Sequence, residues 1–146
     1  MKRDYPDRPI VGVGAVIVQD GRVVVVRRAA EPLKGEWSIP GGVVELGERL
    51  REAAAREALE ETGLVVDAGE VLEVFDGIYK DTSGRTQYHY ALVDFLCRPT
   101  GGEFRAGSDA ERVLWVGEDE IESLRMTANT VRVLRKGLEF AKREKI

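Results

Sequence analysis

The sequence has one cysteine and one histidine in 146 residues, and no uninterrupted apolar run of the length a membrane span requires. A lone Cys97 excludes an intramolecular disulfide, and its place in ALVDFLC marks a small buried side chain rather than a nucleophile. His89, also within an apolar strand, reads as a core histidine rather than an acid or base. An excess of positive charge is missing too. The formal net charge is −4, which argues against a stable nucleic-acid partner, because a duplex-binding face needs basic residues to displace counterions from phosphates. The basic residues that do gather, Arg132, Arg135, Lys136, Lys142, Arg143 and Lys145, fall along a C-terminal helix and suit the negative end of its dipole. The basic N-terminus runs directly into a glycine-bearing strand with no small-residue cleavage pattern. The expected location is therefore the cytoplasm, with no membrane partner.

What is present reads as a single domain, 1–146, of mixed α/β character. Two valine-rich runs, Ile10 to Val18 and VVVV, are broken by Gln19, Asp20, Gly21 and Arg22, a hairpin signal. VGVG lacks the third glycine and the following helix of a dinucleotide fingerprint, so Gly12 and Gly14 are read as sites of close packing. After the loop EPLKGEWSIPGG, residues from about Glu48 to Thr62 form a helix with Gly63 at its C-cap. A second hairpin turns at DTSGR, and its return strand QYHYALVDFLCR is apolar on both alternating faces, as in a sheet covered on both sides. A glycine-bearing loop, PTGGEFRAGSDAE, precedes the strand RVLWV, and Val131, Leu134, Leu138 and Ala141 mark an amphipathic C-terminal helix. The expected fold class is a mixed sheet sandwiched between helices.

Glu57, Glu60 and Glu61 stand at i, i+3 and i+4, so they share roughly 100° of helix surface. They continue the apolar line of Leu50, Ala53 and Ala54, which should dock on the protein body. Three like charges in the last turns repel one another and oppose the helix dipole. A solvated surface face tolerates that. A divalent cation would remove the repulsion, and Mg²⁺ favours a few carboxylate oxygens with waters and substrate phosphates completing its shell.

The surrounding residues, GGVVELGERLREAAAREALEETGL, resemble the Nudix box: Gly42, Glu48, Arg56, Glu57, Glu60, Glu61 and Gly63 fall at that family's spacing, with Leu64 as the terminal aliphatic. Ala58 departs from it, where a bulkier aliphatic is usual, and touches packing more than chemistry. The resemblance places the box at 42–64 and extends through the upstream hairpin, EWSIPGG and the strand around Trp115. It implies a Nudix-like α/β/α sandwich. It further implies that Glu57, Glu60 and Glu61 bind Mg²⁺ or Mn²⁺, with more than one ion, and that Arg56 holds a box glutamate in place. Glu48 has two readings: a water-linked metal ligand, or simply a favourable charge at a helix start. Gly41 and Gly42 would permit a tight turn feeding the helix, beside the substrate.

Outside the box, Arg28 sits where similar family members place a phosphate-binding arginine, and Arg27 should point to the opposite face. Trp37 is read as a plug at a core edge or a stacking platform and is left unassigned. For the general base, the loop carboxylates Asp109 and Glu111 are candidates because metal-bound glutamates make poor proton acceptors, with Gly101, Gly102 and Gly107 letting the loop close over substrate. Glu57 is the competing base. The implied activity is metal-assisted cleavage of a phosphoanhydride in a small nucleoside diphosphate-linked substrate, ADP-ribose first and modified nucleoside triphosphates second. A non-catalytic Nudix-fold module is the reading from another class, and a homodimer is left open.

Overall fold

Asp20 and Gly21 both take positive φ, 51° and 73°, forming the two-residue turn whose twist matches that of its strands. They join β1 (Ile10–Gln19) to β2 (Arg22–Arg28), as the interrupted valine runs predict. The two strands pair only at this tip, Val18 with Val23 and Gln19 with Arg22. Beyond it they part. β2 takes β3 (Trp37–Ser38) and β7 (Ala110–Gly117) as antiparallel partners. β1 instead pairs antiparallel with β4 (Gly41–Val43) at residues 12–14 and parallel with β6 (Thr86–Gly102) over most of its length. β5 (Leu64–Lys80) completes the long hairpin with β6. A computed structural model describes residues 2–107 and 109–146 of this arrangement.

Alternate residues of β1 feed two different cores, as a period of two requires. Val13, Ala15 and Ile17 meet Phe95, Cys97 and the helix α1 (Leu50–Thr62), while Val16 and Val18 meet Leu72, Leu96 and the helix α2 (Ala128–Arg143). The result is the α/β/α sandwich with a mixed sheet that the sequence predicts. Alanines at 53, 54 and 58 are fully buried, so α1 lies close on the sheet. Cys97 is buried as expected, and burial pushes its thiol up to about 12. No helix of the described residues is long and apolar enough to cross a membrane.

Three expectations are corrected. The strand β6 runs on to Gly102, pairing Gly101 with Val65 and Gly102 with Leu64, so the glycine-bearing loop is shorter than the sequence suggests. That loop is also fastened. Glu103 N–H donates to Gly63 O at 3.0 Å, Arg105 N–H to Thr62 O at 2.9 Å and Gly107 N–H to Glu61 O at 3.1 Å. The last carbonyls of a helix need donors, and this segment supplies them to α1, so it is a cap and not a lid. His89 is half-buried rather than a core residue, because it lies towards the hairpin end of β6 opposite the exposed Ile78.

Candidate active site

The parting of β1 from β2 opens a cleft of about 570 Å³, within the usual size for small-molecule sites. β4 and the C-terminal half of α1 form one end of it, with Glu57, Glu60, Glu61, Gly41 and Gly42 on its wall. Gly63, in the left-handed region at φ 76°, ends the helix immediately after these carboxylates.

Burial grades the three glutamates. Glu61 is 8% exposed, and its Oε2 accepts the Gly41 N–H at 2.7 Å. Desolvation, with the nearby Glu57 charge adding to it, pushes the Glu61 carboxyl up to about 8. Glu57 is half-buried and also shifted upward by burial, against the opposing pull of Arg56. Glu60 is exposed.

Arg56 organises the group. Its Nε and Nη2 donate to the two oxygens of Glu48 at 2.7 and 2.9 Å, a bidentate fork, and its Nη1 donates to Glu57 Oε1 at 2.8 Å. Nη2 also reaches the Val43 carbonyl at 3.1 Å, which ties α1 to β4. Hydrogen bonds from Arg56, then from the Glu45 N–H, hold Glu48 down to about 2. Glu48 precedes the helix, whose N-cap is Arg49, so its carboxylate is committed to Arg56 rather than to the helix start.

The two glycines are here for space and not for a turn. Both lie in β4, and neither takes a positive φ. A Cβ on Gly41 would overlap the Val13 carbonyl of β1, and one on Gly42 would come within 2.5 to 2.7 Å of the Glu57 carboxylate. The Glu57 carboxylate thus occupies the place a side chain at 42 would fill.

Arg28 lines the cleft and Arg27 does not. The Arg28 Nε donates to Pro32 O at 2.7 Å, and its charge is felt at Glu61, Tyr79 and Tyr90. Of the two loop carboxylates, Asp109 lines the cleft and raises Glu61 through its charge. Glu111 is instead the second residue of β7, with its carboxylate 3.6 Å from Arg27 Nε, because the strand begins at Ala110 and alternation turns it away. Trp37 is buried in the core beside α2, under Arg112, and plugs an edge rather than facing the cleft.

Asp94 was not singled out by the sequence patterning, although the structure places it in the cleft. It is 2% exposed, on the sheet face that α2 covers further along. Its signal was a single carboxylate inside ALVDFLC, where both faces are otherwise apolar. Asn129 and Thr130, at the start of α2, line the same cleft.

The NUDIX domain family model matches residues 8–137. A MutT-like protein of Streptomyces ambofaciens is 39% identical over 83% of this chain and 71% of its own length. The ADP-ribose pyrophosphatase of Methanocaldococcus jannaschii is 37% identical over 70% of this chain, which spans 59% of that protein's length. Among solved structures, a NUDIX hydrolase from Nitrosomonas europaea superposes with a TM-score of 0.74 at 26% identity, covering 94% of this chain and 74% of its own.

Proposed function

The chain belongs to the Nudix hydrolase family, and from that premise we propose that it cleaves the phosphoanhydride of a nucleoside diphosphate-linked substrate, ADP-ribose first. One arrangement carries this reading: Glu57, the buried Glu61 and Arg28 line one cleft. Acidic and basic groups so placed suit a diphosphate held together with cations. The ADP-ribose pyrophosphatase among its relatives supports the choice of substrate.

The donor set fits a hard divalent cation. All three box side chains offer oxygen, Glu61 is desolvated beside Glu57, and the bare Gly42 gives the Glu57 carboxylate its seat. Among the described residues no three carboxylates are drawn into a closed cage, since Arg56 Nη1 stands between Glu57 and Glu60. Mg²⁺ is compatible with such an open set because it keeps several waters and takes substrate oxygens. Glu57, Glu60 and Glu61 would hold Mg²⁺ or Mn²⁺, more than one ion in this reading, and the bound cation supplies charge neutralisation at the diphosphate and acidifies water. The chain's own groups do the rest. Arg56 fixes Glu57 while Glu48 fixes Arg56, Arg28 orients phosphate oxygens, and Asp109 accepts a proton from the attacking water.

Arg28→Ala is expected to raise KM by roughly 10-fold or more, because a charge-assisted hydrogen bond to phosphate is lost, while cation affinity changes little. Steady-state kinetics beside a metal titration check this, and equal losses in both would make Arg28 structural.

Asp109→Asn is expected to remove the acidic limb of the kcat pH profile and reduce kcat by more than about tenfold, or ~1.4 kcal/mol. If Glu57→Gln alters that limb and Asp109→Asn leaves it in place, the base is Glu57.

A screen of phosphoanhydride hydrolysis across nucleoside diphosphate sugars, dinucleoside polyphosphates and nucleoside triphosphates tests the substrate. The highest kcat/KM is expected with ADP-ribose. A triphosphate preference would favour the MutT-like reading, and no turnover with any of them in Mg²⁺ or Mn²⁺ would leave a nucleotide-binding module.

A further inference from the structure

The cleft holds a buried carboxylate that the hydrolysis does not use. Asp94 is almost completely buried, yet its Oδ2 has no hydrogen-bond partner among the described residues. Its Oδ1 lies where a side chain on Gly14 would otherwise stand. Burying a carboxylate with an unmet acceptor is expensive, and an apolar residue would serve the core better. Such a group is kept where a ligand completes it.

Its neighbours on the sheet say which part of a ligand arrives there. Gly14 pairs with Gly41 on one side and with Asp94 on the other. Asp94 is thus two strands from Gly41, with its Oδ1 reaching back beside Gly14 on the strand between them. Tyr90 and Leu92 precede Asp94 on the same face of β6, with Phe75 opposite Leu92 on β5, and all line the cleft. Together they make an apolar and aromatic floor suited to a flat ring, beside the buried Asp94 carboxylate.

We infer that Asp94 is a specificity-determining residue that accepts a hydrogen bond from the exocyclic amine of an amino-bearing nucleobase. The inference rests on the nucleotide reading above and adds the recognition of the base. A buried acceptor aimed at an N–H discriminates strongly against a ligand that presents an oxygen in its place, since two acceptors then face each other. Adenine nucleotides should be chosen over hypoxanthine nucleotides.

Binding of AMP and IMP to the metal-free protein, measured well above pH 7 and followed by calorimetry or by NMR titration, isolates this contact from hydrolysis. The pH matters because burial pushes the Asp94 carboxyl up to about 7 and only its ionised form is a pure acceptor. The wild-type protein is expected to bind AMP at least tenfold more tightly. Asp94→Leu should weaken AMP to the level of IMP. Asp94→Asn should bring the two together by tightening IMP, because an amide offers both an oxygen and an N–H. Neither variant should melt below the wild type, since each removes a buried carboxyl. A wild-type ratio near one, no binding of either nucleotide, or a ratio that survives in both folded variants would overturn the assignment. Failure of the wild type to hydrolyse ADP-ribose with Mg²⁺, alongside an AMP preference that depends on Asp94, would instead sink the catalytic reading alone.

Discussion

Glu61→Gln is expected to lower kcat by about 1000-fold or more, some 4 kcal/mol of activation free energy, while raising the melting temperature of the metal-free protein at alkaline pH. Both effects follow from one burial. The carboxylate is held against the Gly41 N–H with little access to water, so its charge is costly in the absence of a cation. Its folded pKa of about 8 stands above the ordinary 4.5. Between those values the folded chain keeps a proton that the unfolded chain gives up, so wild-type stability falls as pH rises from about 4.5 to about 8. Glutamine has no proton to lose and escapes that decline. A cation that binds only the folded form reverses the wild-type decline, whereas the amide, which keeps the shape without the charge, should gain much less. Melting curves from about pH 5 to about pH 9, in chelator and in Mg²⁺, read out each step beside kcat. Full turnover in excess chelator, or an amide variant with wild-type kcat, would end the metal assignment.

The sandwich was legible because its signals are local and periodic. Valine runs around an Asp-Gly turn predict the first hairpin, and a strand apolar on both faces announces helices above and below it. The carboxylates of α1 were legible because one helix carries them, so spacing alone puts them on one side. Contacts between distant segments were harder to read. Gly41 and Gly42 looked like turn residues, but they make room for Val13 and Glu57, which no local pattern connects to them. Glu111 differed from Asp109 only by the point at which β7 begins, and strand boundaries carry little sequence signal. The fastening of residues 103–107 to α1 follows from unpaired helix carbonyls, whose partners only the fold can name. Asp94 was hidden by its own neighbours: an apolar run invites reading its one charge as an interruption, when a buried charge is the more informative residue.

The glycine pair gives the other large effect, and it separates chemistry from folding at adjacent positions. Gly42→Ala is expected to reduce kcat by about 100-fold with a stability change within ~1 kcal/mol. Gly41→Ala is expected to destabilise the protein by more than ~2 kcal/mol. At 42 the atoms nearest the added methyl are the tip of the Glu57 side chain, at 2.5 to 2.7 Å. That tip can swing aside. In doing so it leaves the Arg56 Nη1 hydrogen bond of 2.8 Å and the place from which it would bind a cation, and a displacement of about 1 Å is enough for a loss of that size. The stability cost is one partly exposed hydrogen bond, offset by the reduced freedom of the unfolded chain when alanine replaces glycine. At 41 the methyl meets the Val13 carbonyl, with the Gly14 Cα at 3.0 Å. These are backbone atoms of the central strand and cannot swing aside, so β4 must move off β1 and take with it the N–H that holds Glu61. Urea unfolding at fixed pH, run beside kcat for both variants, distinguishes the cases. A Gly42→Ala protein with undiminished kcat would mean that the Glu57 carboxylate is not held where the chemistry needs it.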